Sequence, residues 1–221
     1  MIAAFLLAAV TAPAEPTTVR SALEAEYAFA ADARRIGQWT AFSKWAAPGA
    51  LMFVPQLVNA PRWLEGKKNP PQSVEWSPAV SYQSCDGKTA VNMGPWHRAD
   101  GSFGYFTTVW QYEEELVDGP RWMWVYDGGD RLAKPMAARA KPKVRRASCH
   151  GIPATIPRSW AVSTLPPVDT PEPMEAAEHA RDRSLRFEYR VNKIGNRHFA
   201  AWLWNGHKFE QVIYQTVSVT E

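Results

Sequence analysis

Two acids sit where an acid is costly to place. Asp32 lies three residues after Phe29 and four before Ile36, so on a helix it projects beside an apolar stripe. Desolvation there would raise its pKa and suit it to general acid or base work, or to anchoring a polar group of a ligand. The plainer alternative is a place at the edge of that face, paired with Arg35 or Arg62. Asp127 ends the aromatic segment Trp122 to Asp127, just before Gly128-Gly129. It is either the second acid of such a site or the cap of the turn those glycines predict. His97, beside Trp96 near a hairpin, reads as a surface residue, and His150, His179, His198 and His207 fall in connector, arm or turn settings. The sequence holds no C-x-x-C, no H-E-x-x-H and no Cys/His cluster, and no nucleophile elbow, phosphate loop or dinucleotide fingerprint. No metal and no cofactor is implied.

The aromatic residues point the same way as the acids. Eleven of the 221 residues are Trp, each carrying a large apolar surface and one N–H that wants a partner. That is more than core filling needs, and it favours an aromatic-walled cavity. Its expected walls are Tyr27, Phe29, Trp45 and Phe53 from the N-terminal third, then Trp76, Trp96, Tyr105, Trp110 and Trp124 from the strands that follow. Hydrophobic residues make up 46% of the chain and charged residues 21%, which excludes a disordered tail, a collagen-like fibre and a multi-span membrane protein.

The elements that must position these side chains begin with a helix. Ser21-Ala22-Leu23-Glu24 is a capping-box pattern, and the Ala-rich stretch to Ile36 stops at Gly37. A second helix is predicted over about Trp39 to Ala47, then a short apolar strand, Ala50 to Pro55. After a Pro-rich excursion containing Trp63, four segments follow: Val74–Cys85, Lys88–Arg98, Phe103–Glu115 and Arg121–Asp127. Asp86-Gly87, Asp100-Gly101, Asp118-Gly119-Pro120 and Gly128-Gly129 punctuate them as an antiparallel meander. From Ser184 a smaller three-stranded antiparallel meander is predicted, with turns at Gly195-Asn196 and Asn205-Gly206. So small a sheet is marginal alone and must dock on the larger region or on a second copy.

Charge and composition divide the chain. Residues 1–14 read as a signal peptide: an apolar run, Ile2 to Val10, then Ala12-Pro13-Ala14. Cleavage near Ala14 would deliver a periplasmic or secreted protein. The run is too short to span a bilayer, so no transmembrane anchor is expected. In such a compartment Cys85 and Cys149 could pair, or remain two buried thiols. Seven cations and no acid lie between Arg131 and Arg146. With Pro135 and Pro142 interrupting, residues 131–183 read as a basic, then Pro-rich, linker or arm. No aromatic residues interleave with those cations, and nucleic acid is not an expected partner.

The order helix–helix–strand–excursion–meander resembles the SnoaL-like and nuclear-transport-factor-2-like superfamily. The likeness is carried by Ala22 to Ala30 before Asp32, by Trp45-Ala46-Ala47-Pro48-Gly49-Ala50-Leu51-Met52-Phe53-Val54, by Gly104 to Trp110 and by Trp122 to Asp127. The resemblance implies, over residues 15–130, a cystatin-like α+β fold: N-terminal helices held in a strongly curved antiparallel sheet around a cone-shaped cavity. It also places Asp127 where cyclase-type members carry an acid. Residues 184–221 would form the small meander. Three functions remain open. The first is a module binding a small apolar or aromatic molecule. The second is an acid/base enzyme of isomerase, cyclase or hydratase type using Asp32 or Asp127. The third is an interaction module, as a homodimer, whose cavity its own aromatics fill.

Overall fold

Ser21 and Gly37 bracket the first helix. In a computed structural model, which describes residues 19–155 and 174–218, α1 runs Ala22–Ile36 and ends at Gly37, whose φ of 97° favours glycine. Ser21 Oγ accepts from the Glu24 N–H at 3.2 Å, while the Glu24 carboxylate accepts from the Arg20 N–H at 2.6 Å. Two more helices follow, α2 (Gln38–Trp45) and α3 (Ala60–Leu64), the latter capped by Asn59. The signal-peptide segment and residues 156–173 of the arm lie outside the described residues.

The rest is strand. β1 (Ala46–Phe53), β2 (Leu57–Asn59), β3 (Glu75–Trp76), β4 (Val80–Gln83), β5 (Thr89–His97), β6 (Phe103–Glu113), β7 (Arg121–Arg131) and β8 (Lys143–Arg146) form one sheet. Its order is β2-β1-β7-β6-β5-β4-β8, with β3 also on β5. β9 (Met174–His179), β10 (Leu185–Val191), β11 (Arg197–Trp204) and β12 (Phe209–Val217) form a second, antiparallel sheet.

This corrects the α+β expectation of helices in a curved, purely antiparallel sheet with a three-stranded meander. Among the described residues the protein is mostly β, three helices against twelve strands, and the large sheet is mixed. β1 runs parallel to β7, and β8 runs parallel to β4. The basic stretch read as part of a linker or arm thus supplies an edge strand, whose backbone pairs while three of its four side chains, Lys143, Val144 and Arg146, stay exposed. The small sheet gains β9 as a fourth strand. Nor do Gly128-Gly129 make a turn, since β7 continues through them to Arg131. Glycine is needed there for close approach: a Cβ at Gly129 would collide with the carbonyl oxygen of Tyr105 on β6.

The large sheet is the middle layer, because both of its faces are apolar. Ala90, Phe106, Trp110 and Trp124 pack against Ala25, Phe29 and Ala33 of α1 and Phe42 of α2. Leu51, Val91, Val109 and Tyr126 pack against Phe187, Tyr189, Phe199 and Leu203 of the second sheet. That sheet therefore finds its cover on its own chain. The Cys85–Cys149 disulfide, with Cα atoms 5.2 Å apart, ties the β4–β5 turn to the segment after β8. Beside it Ser184 Oγ accepts from the Cys85 N–H at 2.7 Å, and Trp204 Nε1 donates to the His150 carbonyl at 2.7 Å.

Candidate functional site

A β-bulge decides where the strongest candidate points. Opposite Val109 and Trp110 of β6, strand β7 places Tyr126 and Trp124, with Val125 as an extra residue. The insertion breaks the alternation of faces. Trp124 and Asp127 consequently share the helix side, while Tyr126 turns to the second sheet and stacks on Phe199 at 4.8 Å and Tyr189 at 5.3 Å. Without the bulge, strict alternation would send Asp127 to the opposite side of the sheet from Trp124.

On the helix side Asp127 joins the lining of a cleft of about 440 Å³. One wall is α2, with Gln38, Trp39 and Phe42; another is Trp63 of α3 with Val74 and Trp76; Met52, Phe106 and Trp96 come from the sheet. Edge-to-face rings knit the walls: Trp39–Trp63 at 5.2 Å, Trp39–Phe42 at 5.5 Å and Phe42–Trp76 at 6.1 Å. Arg98 and Arg131, both exposed, and half-buried Asp130 form the mouth. The Arg98 guanidinium lies 4.7 Å from the centre of the Trp96 ring.

Asp127 is half-buried in this setting. Its Oδ2 accepts from Thr108 Oγ1 at 2.9 Å, and no described residue hydrogen-bonds Oδ1. Desolvation raises its pKa from 3.8 to about 7; the Thr108 hydrogen bond opposes that rise and the nearby charge of Glu26 adds to it. An acid poised near neutrality can accept a proton from a ligand, donate one to it, or hold its polar group.

Glu26, which sequence reasoning passed over, is the most deeply buried carboxyl among the described residues. It has no exposed surface and lies at the centre of the inner stripe of α1. Trp76 Nε1 donates to its Oε1 at 2.8 Å, and Trp110 Nε1 (2.6 Å) and Asn92 Nδ2 (3.2 Å) donate to Oε2. Desolvation outweighs these three bonds and lifts its pKa to about 7. Because Trp76 belongs to the cleft wall, Glu26 braces that wall from behind. The signal was present in the sequence: Glu26 falls four residues after Ala22 and three before Phe29, as centrally as any apolar residue of the stripe.

Asp32 has a different task. It is only 7% exposed, but it lies off the cleft. Arg35 Nη2 and Lys44 Nζ each reach it at 2.5 Å, and Trp45 Nε1 donates at 2.9 Å, clamping α1 to α2. Burial alone would raise its pKa; the bonds from Lys44, Arg35 and Trp45 outweigh that and hold it below the usual value. Of the two pairings weighed from sequence, Arg35 is the one formed.

The expected aromatic walls divide similarly. Phe53, Trp76, Trp96 and Tyr105 border the cleft. Phe29, Trp110 and Trp124 are core residues beneath it, Trp45 serves the Asp32 clamp, and Tyr27 is 43% exposed. Trp39, Phe42, Trp63 and Phe106 complete the cleft without having been expected there. A wider hollow of about 510 Å³ on the second sheet, beside Arg190, His198 and Tyr214, is more open and has no carboxyl in its lining. Among the described residues no cluster of His, Cys, Asp and Glu has the makings of a metal site, and no helix is long and apolar enough to cross a membrane.

No protein-family model matches the chain, and no curated protein matches it. Neither comparison bears on the likeness to the nuclear-transport-factor-2-like superfamily.

Proposed function

We propose that the protein binds a small molecule with an apolar or aromatic body in the cleft beneath α2, with Asp127 as its polar anchor. One observation carries this reading: a carboxyl with an open oxygen stands on the floor of an aromatic-walled cleft of about 440 Å³. The same cleft argues against a domain whose own aromatics fill its interior. A homodimer loses its main reason, since the small sheet is covered by its own chain. Membership of the nuclear-transport-factor-2-like superfamily is part of the proposal, supported by the order helix–helix–strand–excursion–strands. Export is supported by the pattern of residues 1–14 and by the disulfide. A mature chain beginning at Glu15, read by mass spectrometry, is the expected result, and an intact Met1 contradicts it.

N-phenyl-1-naphthylamine, uncharged and fluorescent in apolar surroundings, tests the binding reading. One saturable site is expected on the wild type. Val54→Trp, which fills the cleft from a half-buried wall position, should weaken binding by about tenfold or more. Absence of saturable binding, or indifference to Val54→Trp, overturns the reading.

A second reading is favoured by the Asp127 pKa of about 7: acid/base catalysis on the bound molecule. Its mark is turnover that Asp127→Asn abolishes while affinity stays.

A further inference from the structure

The charges around the cleft are distributed unevenly. Asp127 stands on its floor, and Glu26 stands behind Trp76, the two near enough for the charge on Glu26 to add to the cost of ionising Asp127. No described cation pairs with either. The cations that border the cleft, Arg98 and Arg131, are exposed at its mouth beside Asp130, and Arg98 is spread over the Trp96 ring. Asp32 has two cationic partners and Glu114 and Glu210 each have at least one. Asp127, the acid on the floor of the cleft, is left with a hydroxyl, Thr108, and a neighbour of its own sign.

A carboxylate in that position lacks a counter-charge, and a proton or a ligand can supply one. The walls suit a ligand that does so, because rings attract cations as well as apolar surface. Resting on the proposed reading of the cleft, we infer that its ligand is an organic cation: an aromatic or apolar body bearing a protonated amine that ion-pairs with Asp127 Oδ1. The amine donates to Oδ1 while Thr108 keeps Oδ2, so both oxygens of the carboxylate are satisfied. The body lies among Trp39, Phe42, Trp76 and Phe106. An anionic ligand would meet Asp127 at the floor and would have to stay with Arg98 and Arg131 at the mouth.

Three compounds of one shape separate the outcomes: 2-phenylethylamine, 2-phenylethanol and 3-phenylpropanoate, titrated calorimetrically into the full chain at pH 8. The amine should bind roughly ten- to hundredfold more tightly than the alcohol, the range a charge-assisted hydrogen bond supplies, and the acid most weakly. Asp127→Asn should bring the amine to the level of the alcohol, and an unchanged far-ultraviolet circular dichroism spectrum shows that the variant is folded. On the wild type, amine affinity should rise by about tenfold from pH 6 to pH 8 as Asp127 ionises, and alcohol affinity should not. This second arm needs no variant. Equal affinity for amine and alcohol, tighter binding of the acid, or an amine preference that survives Asp127→Asn overturns the inference and leaves the cleft reading standing. If none of the three binds, the cleft reading falls and the inference falls with it.

Discussion

Two acids of the first helix, six residues apart, show what a side chain's surroundings do to it. Asp32 reaches Lys44, Arg35 and Trp45 and stays ionised; Glu26 meets only N–H donors in the core and is pushed towards neutrality. Sequence periodicity ranks both as acids on an apolar stripe. What it lacks is the partner list, because Lys44, Trp45, Trp76, Asn92 and Trp110 come from other elements. The consequences are measurable. Glu26 and Asp127 have folded pKa values above their unfolded ones, so the neutral form is favoured in the fold. The stability these two acids contribute is therefore fully present below about pH 4 and is lost as pH rises through about 7. For Glu26 alone the loss is on the order of 3 kcal/mol. Urea denaturation at pH 5 and pH 8 should show the wild type weaker at pH 8, and Glu26→Gln should flatten much of that slope; greater stability at pH 8 would refute the assignment. Asp32→Ala should lower stability by about 1–2 kcal/mol, since Trp45 loses its acceptor while exposed Arg35 and Lys44 recover water. It should leave cleft binding intact, and a loss of binding would restore Asp32 to the site.

Elements were legible where the deciding residues are neighbours in the chain. The Ser21 cap, the Gly37 stop, and the turns at Gly87, Gly101 and Gly206, each with positive φ, follow from local chemistry. Pairings across the chain were not. Nothing local says that β1 lies parallel to β7, or that Lys143–Arg146 adds to β4 across about sixty residues of sequence. The Val125 bulge belongs to this class too, because its extra residue is defined only against β6. Gly128-Gly129 misled for a physical reason, as a strand crossing close to another needs the small residue that a turn also prefers. The disulfide acts at the same scale, closing a sequence separation of 64 residues. Urea unfolding with and without reductant, or of Cys85→Ala/Cys149→Ala, should reveal a loss of up to about 4 kcal/mol, the loop-closure value for that length. An unchanged midpoint would mean that the hydrogen bonds of Cys85 to Ser184 and of Trp204 to His150 hold the sheets together unaided.

The whole molecule is three layers with two cores that share one sheet. Such a middle layer couples its neighbours, so both sheets should melt in one transition. Phe199→Ala, which removes a buried ring from the stack on Tyr126, should cost about 3–5 kcal/mol and lower a single midpoint seen alike by tryptophan emission and far-ultraviolet circular dichroism. Two separated transitions would instead describe independent layers. The proposed binding reading belongs to this scale, because the cleft is made jointly by α2 and α3 as walls and the sheet as floor, with the bulge turning Asp127 inward. The most direct measurement is a crystal of the full chain soaked with 2-phenylethylamine at pH 8. The aromatic ring is expected between Phe42 and Phe106, with the amine nitrogen about 2.8 Å from Asp127 Oδ1. A molecule lodged elsewhere, or one whose amine turns to the mouth of an occupied cleft, would contradict the assignment of Asp127 as its anchor.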